Sequence, residues 1–135
     1  MGLIKLYILT ATVLLAAEVL WLRLVARDLF RSEVGHLMRS DLLVAPAAIF
    51  YLTYVAGILV FAVLPGLEFN QFARTLALGG FLGFLSYSTF DLTAMALFRD
   101  FPLRVAGLDI AWGTVLTAAV SSAGYGFGRW LGVGS

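Results

Sequence analysis

The 135-residue chain is 61% hydrophobic and 13% charged, whereas soluble globular domains run near half apolar and a quarter charged. Its mean hydropathy of +0.98 argues against a water-soluble fold and excludes disorder. A net charge of +1 is too small for a nucleic-acid partner, and zero cysteines exclude a disulfide scaffold or a cysteine-ligated metal.

What remains is an all-α integral membrane protein. A bilayer core of ~30 Å needs about 20 apolar helical residues. Four stretches qualify, at roughly 3–24, 42–64, 75–98 and 103–123. They predict a four-helix bundle of one domain, with a short interfacial helix after the first span. Lys5 before an apolar run, with Ala16-Ala17 after it, also fits a signal peptide. The apolar pattern continues past Glu18 to Trp21 and Leu24, which favours an uncleaved first helix.

Residues 27–39 differ from the spans. Phe30, Val34, Leu37 and Met38 recur at helical spacing, while Arg27, Asp28, Arg31, Glu33, His36 and Arg39 fill the other face. The segment reads as a helix in the headgroup region, or as a solvent-exposed extension of the first span. Arg23, Arg27, Arg31, Arg39 and Arg104 are the expected headgroup contacts, with membrane lipids as the partner. His36 is a lone histidine and a poor metal ligand, so no metal and no cofactor are expected.

Pro65-Gly66 should end the second span, because proline cannot continue the hydrogen-bond ladder. Arg99-Asp100-Phe101-Pro102 makes a tight turn between the third and fourth. The first and third loops with their flanks hold Arg23, Arg27, Arg31, Arg39, Arg99 and Arg104; the other side holds Lys5, Arg74 and Arg129. The positive-inside rule then predicts a cytoplasmic-membrane protein with both termini periplasmic.

Three carboxyls fall inside the spans: Glu18, Asp91 and Asp109. A charged aspartate at a helix centre costs on the order of 3 kcal/mol on insertion scales. Each lies about six or seven residues from the cytoplasmic end of its span, or ~9–10 Å at 1.5 Å per residue. An antiparallel arrangement brings all three to one level. Tyr51 and Tyr54, Tyr87 and Ser88, Trp112, and Trp21 reach the same layer by helical spacing. They predict one polar pocket open toward the cytoplasmic side. The competing reading is structural: protonated acids tie helices together by hydrogen bonds worth ~0.6–2 kcal/mol.

Gly79 with Gly83, and Gly124 with Gly128, form GxxxG pairs that permit close helix packing; the first is the expected homodimer face. No P-loop, zincin motif or nucleophile elbow appears, and no lysine lies in mid-membrane.

The stretch from Ser86 to Gly113 reads SYSTFDLTAMALFRDFPLRVAGLDIAWG. It resembles a family of small bacterial four-span membrane proteins catalogued as a domain of unknown function. The resemblance rests on Asp91-Leu92-Thr93 in the third span, Pro102 in the turn, and Asp109 to Gly113 in the fourth. Phe50 to Tyr54, Phe61-Ala62 with Pro65, and Glu18 to Trp21 extend it over nearly the whole chain. Glu18 stands where the family pattern has aspartate, and Ala94 where it has asparagine. The resemblance implies the fold and a bacterial inner-membrane location, and carries no activity.

Three functions compete. Acids at one depth can exchange protons with a transported ligand, Tyr51, Tyr54 and Tyr87 orienting it. Two carboxyls in unlike environments can act as general acid and base on a lipid or isoprenoid, as in an isomerase or cyclase. Lastly, residues 27–39 can bind anionic lipid while the acids serve structure.

Overall fold

The computed structural model describes residues 2–21, 23–24, 44–99 and 101–133. The headgroup segment 27–39, with Arg27, Arg31 and Arg39, lies outside them. Among the described residues there are four long helices and no strand. Helix α1 is Gly2–Trp21. Helix α2 runs as α-helix over Val44–Ile58, widens into a π-helical turn at Leu59–Val63, and finishes as Leu64–Glu68. Helix α3 is Phe72–Leu97 and α4 is Leu103–Leu131.

Three of the four, α1, α2 and α4, are long and apolar enough to cross a membrane. Helix α3 is longer than a bilayer requires, but Gly79, Gly80, Gly83, Ser86, Tyr87, Ser88 and Asp91 dilute its apolar character. Side chains sort in the way lipid demands. Leu3, Ile8, Leu52, Phe61, Phe81, Leu97 and Val115 point outward, while Thr10, Thr75, Thr117, Ser121 and Asp91 are buried. Water would not tolerate so much exposed apolar surface, whereas small residues at helix contacts are how helices approach in lipid. Hydroxyls on the outer faces are absorbed locally: Thr12, Thr53, Thr89 and Thr114 each donate to the carbonyl four residues back.

Pro65 does not end α2 as expected. The Leu64 N–H bonds to the Leu59 carbonyl, five residues back, so the ladder has already widened before the proline. Thr75 on α3 donates its Oγ1 to the Ala62 carbonyl at 2.8 Å, supplying a partner inside that loosened turn. The fourth helix also continues past residue 123 to Leu131, where Gly132 at φ +76° closes it. Its extra turns pack inward: Gly124 lies against Val63 and Gly128 against Leu67.

The closest seam joins α3 and α4. A Cβ on Gly83 would come within 2.2 Å of the Gly113 carbonyl, and one on Gly79 within 2.5 Å of Ser121 Oγ. The Gly79/Gly83 face is therefore used up within the chain, because α4 needs it for backbone-to-backbone contact. A homodimer would need another surface. The first half of α2 stays apart from α3, approaching it closely only near the π turn. That splay leaves a space between them, and the site lies there.

Candidate functional site

Glu18 sits three residues before the end of α1 and is 7% exposed. Each of the other three helices sends it a donor. Tyr51 on α2 gives its hydroxyl to Oε2 at 2.7 Å. Trp112 on α4 gives its indole N–H to Oε1 at 2.9 Å. Tyr87 on α3 reaches the same oxygen at 3.4 Å. An indole N–H can only donate, so Oε1 must accept from it. Trp21, one turn beyond Glu18 on α1, stacks on Trp112 with centroids 4.4 Å apart and planes at 6°. That stack aims the Trp112 N–H at Glu18.

Beside this carboxyl lies a cavity of about 380 Å³, lined by Glu18, Phe50, Tyr51, Ser86, Tyr87, Phe90 and Asp109. All four helices contribute to its wall. Its size falls in the range of roughly 300–1,000 Å³ usual for small-molecule sites. A groove of about 390 Å³ between Leu3, Ile4, Tyr7, Ala56, Leu59, Val60 and Leu64 faces outward and bears no carboxyl.

Asp91 takes a different place from the one expected. It is 0% exposed, in the α3–α4 seam rather than on the cavity wall. The carboxyl of Asp109 lies within hydrogen-bonding reach of it, and no other donor among the described residues bonds either Asp91 oxygen. Two carboxyls side by side in a buried seam share a proton or a cation. The acids thus divide: Glu18 is held by three donors, and Asp91 and Asp109 form a pair. Among the described residues no group of three His, Cys, Asp or Glu side chains is placed to hold a metal ion.

From residue 3 to residue 126 the chain matches the family described as predicted membrane protein (DUF2177). The chain belongs to that family. No curated protein and no solved structure matches it. The matched range takes in the residues that build the Asp91–Asp109 pair and the Trp112 donor.

Of the residues expected at the pocket, Glu18, Tyr51, Tyr87 and Asp109 line the cavity. Trp21 and Trp112 stand behind Glu18. Tyr54 is buried and bonds Thr117 Oγ1 at 2.7 Å, with its ring edge-on to Tyr87, so it props Tyr87 and does not face the cavity. Ser88 is buried with its hydroxyl unpartnered among the described residues. Arg23, just past the C-terminal end of α1, and Arg104, in the first turn of α4, are exposed. Phe50, Ser86 and Phe90 complete the wall and were not expected. Helical spacing held the signal: Ser86 and Phe90 are four apart, one residue of rotation away from the Asp91 face.

Proposed function

We propose that the chain is a bacterial inner-membrane protein with four spans, α3 included, and both termini periplasmic. Its acidic and aromatic cavity binds a small or lipidic ligand and exchanges protons with it. One observation carries this: Glu18 and Asp109, from the first and last helices, share the wall of one cavity. Intramembrane carboxyls at a cavity are the groups that proton-coupled carriers use. Asp91, behind Asp109, supplies a second carboxyl to which a proton can pass.

Liposomes holding the protein and a pH-sensitive dye test the reading. Proton uptake is expected well above that of protein-free liposomes, and to fall about tenfold in Asp91→Asn and Asp109→Asn. Uptake no faster than in empty liposomes, or unchanged in both variants, would remove the mechanism. The topology has its own check, since the chain has no cysteine. In spheroplasts, Val133→Cys should react with an impermeant maleimide, and Ser40→Cys only after permeabilisation. The reverse pattern overturns the orientation.

A second reading, an acid/base enzyme acting on a lipid or isoprenoid, draws on the unlike settings of Glu18 and the aspartate pair. It requires an acyl or isoprenoid chain retained in the cavity, which native mass spectrometry of the purified protein detects.

A further inference from the structure

We infer that the cavity takes an organic cation: a protonated or quaternary amine carrying an apolar body. This rests on the cavity being a ligand site, and it names the ligand's class. Among the described residues, the wall holds two carboxyls and four aromatic rings and no lysine, arginine or histidine. An anionic ligand would meet Glu18 and Asp109 head-on. A neutral one would bring no opposite charge to the two wall carboxyls. A cation satisfies the acid and gains from the ring faces.

Wall rings are held close together. Phe50 lies 5.2 Å from Tyr51, and Tyr54, behind the wall, braces Phe50 at 5.1 Å and Tyr87 at 6.4 Å. Phe50 and Phe90 are partly exposed at the cavity's edge, where an apolar body can extend. The Asp91–Asp109 pair points the same way. Asp91 is fully buried, and among the described residues its oxygens meet only the Asp109 carboxyl. Positive charge arriving at Asp109 would answer both carboxyls. Such a cation is either a free amine or a lipid's ammonium headgroup.

The test uses the full chain in phosphatidylglycerol nanodiscs. Trp130→Phe removes an indole that is 78% exposed, leaving the Trp21–Trp112 stack beside Glu18 as the fluorescent reporter. Three probes of one shape are titrated: benzyltrimethylammonium, its uncharged isostere neopentylbenzene, and phenylacetate. The cation should saturate at least about tenfold tighter than the isostere, with phenylacetate weaker still. Asp109→Asn should weaken the cation about tenfold and leave the isostere unchanged. Phe90→Leu, which keeps an apolar side chain at the edge, should weaken the cation about threefold. Replacing half the lipid with phosphatidylcholine lowers the probe's affinity more than the reduced surface charge lowers it in Asp109→Asn where the natural occupant is a headgroup, and no more than that where it is a free amine; both satisfy the assignment. Equal affinity for the three probes, or no loss in either variant, overturns the cation while leaving the cavity reading intact. No saturable response to any probe ends both.

Discussion

Gly113→Ala is expected to destabilise the protein by about 3 kcal/mol, the upper end of ordinary overpacking. A Cβ at Gly113 would lie 2.1 Å from Tyr87 Cγ and 2.3 Å from its Cδ1. Those are ring atoms next to the α3 backbone, so no flexible tip can swing aside. The ring is also held edge-on by Tyr54 and through its hydroxyl by Glu18. Moving it must therefore open the α3–α4 seam or break the contact to Glu18. Unfolding in micelles, followed by the helical signal, measures the loss. Gly107→Ala is the control, because a Cβ there meets nothing within 4 Å. It should be neutral or slightly stabilising, since alanine favours a helix. If both alanines behave alike, the seam is looser than the structure shows.

Replacing Glu18 should separate structure from chemistry. In Glu18→Gln the amide oxygen can still accept from Trp112, and the amide N–H can face Tyr51, whose hydroxyl can turn to accept. The fold should lose no more than about 1 kcal/mol. Proton uptake should drop by about a hundredfold, because an amide does not titrate. In Glu18→Leu, the indole N–H of Trp112 and the hydroxyl of Tyr51 lose their acceptor. Each buried orphan costs about 1–3 kcal/mol, so a loss of about 3 kcal/mol is expected. The two measurements, unfolding and uptake, must diverge in the glutamine variant. Undiminished uptake there would make Glu18 a tie between helices and nothing more.

Much of this was open to reading before any coordinates. Hydrophobicity adds up residue by residue along the chain, so the apolar helices α1, α2 and α4 follow from composition over windows of about 20 residues. A carboxyl inside such a run stands out because lipid penalises it locally. The rise of 1.5 Å per residue then relates depths on different helices, which is why Glu18 meets Tyr51, Tyr87 and Trp112. Depth is set along an axis, and the sequence measures it.

Rotation about the axis is another matter. Asp91 faces the α4 seam and not the cavity because Gly79, Gly83 and Gly113 let two backbones meet on that side. The same turn of α3 presents Ser86 and Phe90 to the cavity and hides Ser88. Nothing in the local pattern ranks one polar face of α3 above its neighbour; the partner helix decides. Pro65 is similar. Its helix persists because the turn before it widens and Thr75, on another helix, supports the Ala62 carbonyl. The sequence by itself determined the apolar helices and the presence of acids within them. Only packing between helices decided which acid lines the cavity, which acid stands behind it, and that there is a cavity at all, because each depends on contacts between residues far apart in the chain.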